Sequence, residues 1–416
     1  MKSKNRQNLR ILEADADPTD EIIDQIMDEL REEEKPLENL EAKIAKHKKI
    51  FWIRVMVTTA VIIAAAIIFY VVLTSQTYGS VRVTDTVISD ADGGSYVSFE
   101  NGILKYSKDG VSFLNNSGKE QWNYSYQIKN PIIDIVDKAG AIADSSGNTI
   151  VVFEKSGVRG EITTTLPIEK ISVSEQGIVA AVLKNDYSPK VICYDTAGNI
   201  LVEHKAAVTS TGYPIDISLS PNGELLLVSY LYAQDNQVTT KVSYFNFGTV
   251  GQDKTDHQVT QAEYQNSIVP EVFFAGQDLS VIVGDKQIDI YKGDQIPELK
   301  TTIELKKEIK SICHNDKYIG LILQNEGKGG YELSVYSLDG KQTLSLDFTG
   351  EYSHFDVIDG QVIMYDGDQM AIYMLSGHKR FEGQMDANIL GVIPMVGFNK
   401  YLVMSTSGIQ IIRLVK

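Results

Sequence analysis

The chain has 416 residues, of which 43% are hydrophobic and 23% charged, a balance that suits folding and excludes disorder throughout. Its two cysteines, Cys193 and Cys313, cannot staple a small scaffold or supply a Cys-based zinc or iron–sulfur site. The net charge of −16 leaves no basic footprint, so no nucleic-acid partner is expected. At roughly 150 residues per domain the length suggests about three domains, although propellers run longer as one unit. With 21 Tyr, 13 Phe and 32 Gly against 10 Pro, composition leans toward β structure.

Residues 1–16 read as unstructured. Asp17 is then placed to cap a helix, Pro18 suits the first helical position, and Asp20 and Glu21 favour its positive end. Ile22, Ile23, Ile26, Met27 and Leu30 share one face, and Pro36 is expected to end the helix. A second pattern, Leu37, Leu40 and Ile44, runs on toward an apolar segment. So short an amphipathic helix is marginal alone in water. Ile22, Ile26, Met27 and Leu30 are therefore a candidate face for a cytoplasmic partner or a second copy. A solvated spacer is the alternative.

From Val55 to Leu73 the chain carries 19 uncharged residues, VMVTTAVIIAAAIIFYVVL. As a helix they span about 28 Å, close to a bilayer core of about 30 Å. Val55, Ile62, Ile67, Val71 and Leu73 mark the expected span, and the lipid bilayer is its expected partner. The run begins too deep for a cleaved leader, and no lipidation Cys follows it. Lys46, Lys48, Lys49 and Arg54 crowd its N-terminal flank, whereas the other flank has no Lys or Arg before Arg82. That asymmetry places the N-terminus in the cytoplasm and the C-terminal part outside. The expected division is a cytoplasmic head at 1–50, a transmembrane helix at 51–75, and an extracytoplasmic domain at 80–416.

Beyond residue 80 short apolar or alternating runs recur between turn signals such as NGI, KDG, SSGN, TAGN and PNGE. First strands of a repeat begin at Pro131, Ile168, Pro214, Pro270, Ile309, His354 and Ile389. Their spacings of 37, 46, 56, 39, 45 and 35 residues suit four-stranded propeller blades. A leading unit from Tyr96 to Ile128 makes eight. The last unit has room for three strands, and residues 81–88 could complete it and close the ring. The expected fold class is all-β, an eight-bladed propeller with seven as the alternative, behind one transmembrane helix and a short helical head.

Two phrases carry a family resemblance. ISLSPNGELLLVSY, from Ile217 to Tyr230, resembles the turn of WD40- and TolB-like propellers, and NNSGKEQW, from Asn115 to Trp122, resembles pyrroloquinoline-quinone-type repeats. With the stretch from Ser243 to Phe274 and the single span, the layout is similar to a family of single-pass membrane proteins of Gram-positive, mainly clostridial, bacteria. The resemblance implies a PQQ/WD40-like propeller outside the cell and no particular activity.

Catalytic chemistry is not legible. The two Cys lie 120 positions apart in strand-like runs, unlike the vicinal pair of quinone enzymes. No H-x-x-x-H, H-E-x-x-H or G-x-S-x-G pattern occurs. Asp90-Ala91-Asp92-Gly93 and Asp366-Gly367-Asp368 read as turns rather than calcium loops. No cofactor, metal or catalytic residue is expected, and the chain is not expected to be an enzyme. The polar stretch VGQDKTDHQVTQAEYQNS reads as the longest irregular segment of the outer domain, or as an outer strand with a loose connection. Asp253, Asp256, His257 and Tyr264 within it form a candidate binding loop. The expected function is a membrane-anchored, non-enzymatic scaffold or protein-binding module with an envelope or membrane protein partner. A single-pass receptor for a wall glycan or small ligand is the alternative.

Overall fold

The computed structural model describes residues 18–88, 94–115, 117–234, 237–325, 327, 329–397 and 399–416. Residues 1–16, the capping residue Asp17 and the Asp90–Gly93 turn lie outside them. The chain divides into two units, Met1–Leu73 and Thr74–Lys416.

The first unit is one α-helix that continues to Thr74, starting at Pro18 as its position predicts. It runs unbroken through Pro36, which corrects the expected break. Pro36 removes the bond to the Glu32 carbonyl and crowds that oxygen with its ring, together a cost of about 3 kcal/mol. Glu, Leu, Lys and Ala, all good helix formers, flank it on both sides. Head and apolar segment are thus one helix rather than two. Its stretch Lys43–Phe69 is long and apolar enough to cross a membrane, and none of that stretch is buried. Thr58 Oγ1 donates to the Arg54 carbonyl at 2.9 Å and Thr59 Oγ1 to the Val55 carbonyl at 2.8 Å. These two threonine hydroxyls are therefore satisfied without water.

The second unit is an eight-bladed β-propeller. Each blade is a four-stranded antiparallel sheet, and seven blades use four consecutive strands. Their inner strands are Ser95–Phe99, Pro131–Val136, Ile168–Val173, Tyr213–Leu219, Glu271–Phe274, Ile309–His314 and His354–Ile358, for blades 1 to 7. Blade 8 combines Ile389–Pro394, Lys400–Ser405 and Gly408–Val415 with Ser80–Ile88 from the other end of the domain. Ser80 pairs with Val415 and Ile88 with Ile409, so the spare strand closes the ring.

Eight apolar cores hold the ring, one in each seam between neighbouring blades. Blades 2 and 3 share Ala141, Val152, Val179, Ala181 and Ile192. Blades 3 and 4 share Ala180, Val182, Val191, Ile217 and Val228. Adjacent residues of Val179–Leu183 thus feed opposite seams, because side chains alternate across a strand. A sheet buried on both faces needs apolar residues at every step. The run VAAVL satisfies that need. The last seam joins Leu402, Met404 and Ile409 of blade 8 to Tyr96, Ile103 and Leu114 of blade 1.

In the seam of blades 1 and 2, Phe153 meets Phe99 edge-on with ring centroids 5.6 Å apart. Gly140, paired with Phe153, leaves the room for that ring, since a Cβ there would lie 2.3 Å from it. Trp122 Nε1 donates across the same seam to the Lys155 carbonyl at 2.8 Å. In the S-P-N-G phrase, Ser220 Oγ accepts from Leu225 N at 2.9 Å and Asn222 Oδ1 from Glu224 N at 3.0 Å. Gly223 takes the left-handed conformation, with φ 71°, that this turn requires.

Phe153→Ala is expected to cost about 3–5 kcal/mol, measured by denaturant unfolding of the full chain in micelles. Removing residues 1–88 leaves Gly408–Val415 as an open edge. The truncated ring is expected to self-associate in light scattering, whereas the full chain does not.

Candidate functional site

Blade topology gives the ring two unlike faces. The turns from inner to second strand and from third to outer strand lie on one face. The second-to-third turns and the blade connections lie on the other. The chain enters on the first face. There Tyr78 N donates to the Arg380 carbonyl at 2.9 Å and Gly79 N to the Val415 carbonyl at 3.1 Å. Tyr78 is buried in the seam of blades 7 and 8, over the Arg380 guanidinium.

The inner strands surround a channel, and their polar residues stitch neighbouring blades together. Asp134 Oδ2 of blade 2 accepts from Val173 N of blade 3 at 2.6 Å. Ser172 Oγ of blade 3 accepts from Leu219 N of blade 4 at 2.9 Å. Asp216 Oδ2 and Ser218 Oγ of blade 4 accept from Val272 N and Phe274 N of blade 5, at 2.8 and 3.1 Å. Inner strands have a free edge toward the axis. These side chains satisfy backbone donors that no fifth strand reaches.

Within the channel is a cavity of about 450 Å³. Asp134, Lys170, Asp216, Glu271 and His314 line it. Lys170 Nζ lies 3.2 Å from Asp216 Oδ1. His314 lies flat on Phe273, with centroids 3.5 Å apart, and its Nε2 is 3.5 Å from Glu271 Oε1. Burial raises the Asp134 carboxyl to about 6, opposed by the bonds from Val173 N and Ser172. Burial also raises Asp216, against the pull of Lys170. Burial, with a smaller push from Asp216, takes Glu271 to about 7, and burial lowers His314 to about 4. Between about pH 4 and 7 the site therefore favours an uncharged Glu271–His314 pair beside one lysine–aspartate ion pair. Such a lining can exchange hydrogen bonds and charge with a small polar ligand. Among the described residues no group of three or more His, Cys, Asp or Glu could hold a metal ion.

None of these channel residues was singled out from sequence. The available signal was a polar residue within an otherwise apolar first strand, as in PIIDIV and YPIDISL.

The candidate binding loop divides. Its second half is the outer strand of blade 4, Gln258–Gln265, so the stretch is less irregular than its composition suggests. Tyr264 is not a loop residue. It is buried between blades 4 and 5 and donates to Asp289 Oδ2 at 2.7 Å. That apolar seam excludes the water that would compete for its hydroxyl. Asp253 is exposed in the turn. Asp256 and His257 take positive φ, 53° and 61°, and line a rim cavity of about 450 Å³ with His204, Phe245 and Phe247. The His257 Nδ1 lies 3.2 Å from the Gly251 carbonyl.

Ile22, Ile26 and Met27 are exposed on the head helix, as are Val71, Ile62 and Ile67 on the apolar run, with Val55 half-exposed. Of Leu30 and Leu73 only the backbone is described. Lys46, Lys48, Lys49 and Arg54 are exposed on the same helix. Cys193 is buried in the seam of blades 3 and 4, and burial pushes its thiol up to about 12. Burial raises Cys313 as well, so neither thiol is a ready nucleophile at neutral pH.

Residues 74–414 match a family described as "Family of unknown function (DUF5711)". The chain belongs to this family. Among solved structures it is similar to BamB from Moraxella catarrhalis, at 11% identity and a TM-score of 0.47, covering 81% of this chain and 98% of that one. It is also similar to the Neurospora crassa Pan2 WD40 domain, at 10% identity and a TM-score of 0.40, over 82% and 97% of the two chains. A third similar structure is a eukaryotic initiation factor, at 12% identity and a TM-score of 0.45, over 70% and 77%. No curated protein matches the sequence.

The Glu271 carboxyl holds a proton in the folded state that the unfolded chain releases above about pH 4.5. Its contribution to stability is whole below pH 4.5 and is lost as pH rises through about 7. His314 acts oppositely, its contribution being lost as pH falls from 6.5 toward about 4. Glu271→Gln is expected to raise the thermal midpoint relative to the parent by an amount that grows from pH 4.5 to about 7. Melting curves across that range check it.

Proposed function

We propose that this is a membrane-anchored, non-enzymatic protein whose propeller serves as a protein-binding or scaffold module on the outer side of the membrane. The observation that carries the reading is a closed ring on a chain that also holds a helix with an unburied apolar stretch, Lys43–Phe69. The uncharged part of that stretch, Val55 to Phe69, needs lipid around it, since water would meet its apolar side chains directly. The cations at Lys46, Lys48, Lys49 and Arg54 support an N-terminus inside. In the ring, each strand is fixed by two seams while turns vary freely, which suits a presenting surface.

A second reading, a receptor for a small polar ligand, rests on the channel cavity with Lys170, Asp216, Glu271 and His314. In that reading a bound ligand alters what the head engages.

Externally added protease on intact cells is expected to digest the propeller and spare residues 1–45. Replacing Lys46, Lys48, Lys49 and Arg54 by Glu is expected to reduce that protected fraction severalfold. In-cell crosslinking of the full chain and of a version lacking residues 1–45 separates the functional readings. Recovery of the same partners by both supports the propeller as the working part. Partners lost with the head favour transmission across the membrane.

A further inference from the structure

The uninterrupted helix joins two sequence patterns that Pro36 was expected to separate. Ile23, Ile26, Leu30, Leu37, Leu40, Ile44 and Phe51 then fall at alternating intervals of three and four residues, interrupted by Glu33 and His47. That is a heptad seam over four turns of the repeat, with Ile23 at an a position and Ile26 at a d position. The described members are bare: Ile23, Ile26 and Ile44 are 53%, 51% and 52% exposed.

The charges around the seam discriminate between occupants. Residues 18–41 carry ten carboxylates and two cations. Two copies anchored by the same span run parallel, the one point at which the inference rests on the proposed anchoring. In a parallel pair each g position meets the e position of the partner's next heptad. Glu29 would meet Glu34 of the second copy, and Lys43 would meet Lys48. Glu33, at a d position, would meet itself inside the seam. Like charges at those positions disfavour self-pairing.

We propose that this seam docks a basic amphipathic helix of another protein, with apolar residues opposite Ile23–Ile44 and Lys or Arg flanking them and facing Glu33. The occupant's apolar face covers the bare isoleucines, and its cations neutralise the acidic flanks of residues 18–41.

The test uses the full chain in detergent micelles, where topology plays no part. A failure of the anchoring proposal therefore leaves its result intact. The probe is a fluorescent three-heptad peptide, matched to Ile23–Lys43, with Leu at a and d, Lys at e and g, and Lys opposite Glu33. A control peptide carries Glu in place of every Lys. The Lys peptide is expected to bind at least about tenfold more tightly, with affinity falling as salt rises. Ile23→Gln with Ile26→Gln keeps the charge and is expected to lose about tenfold. Glu33→Leu is expected to shift the chain from monomer toward dimer in light scattering. Equal binding of both peptides, binding of neither, or an Ile23/Ile26-dependent dimer of the parent chain would overturn the proposal.

Discussion

Closure is the constraint on which the propeller depends. A propeller sheet is apolar on both faces, so every blade needs a neighbour on each side. An open row of such sheets would leave two apolar faces in water. The chain meets this by pairing Ser80–Ile88 with Gly408–Val415, which joins the start of the domain to its end. Blade 8 then packs on blade 1 through Leu402, Met404 and Tyr96. The residues that close the ring lie a few positions after the α-helix that ends at Thr74. Tyr78, buried between blades 7 and 8, holds the start of that closing segment against the ring.

The channel is a consequence of closure. Inner strands have no partner toward the axis, so Asp134, Ser172, Asp216 and Ser218 bond to the next blade instead. The same carboxylates are thereby desolvated, and their protons become harder to release. Structural stitching and an unusual electrostatic interior thus have one origin. Asp216 illustrates both, holding Val272 N with one oxygen and Lys170 with the other. A ligand entering here would compete with bonds that already hold blades together.

The helix contributes the opposite kind of surface. Its apolar run lies bare in the isolated chain, and its acidic head carries an unfilled seam. The ring is satisfied internally, whereas in the proposed reading the helix is complete only with lipid and a basic partner.

The amino-acid sequence alone determined whatever depends on near neighbours. Turn phrases such as SPNG, alternating strands such as HFDVI and the uncharged run from Val55 are local signals. They located seven first strands, the eight-blade count and the strand that completes blade 8. One local rule that failed was the expected helix break at Pro36. There a missing hydrogen bond was outweighed by strong helix formers on either side. Only the tertiary structure decided which residues meet across the ring. Asp134, Asp216, Glu271 and His314 are separated by dozens of residues, and nothing in their spacing announces a shared cavity. The same holds for Tyr264, which reads as a loop residue until Asp289 of the next blade takes its hydroxyl. Closure brings those groups together, and closure is a property of all eight sheets at once.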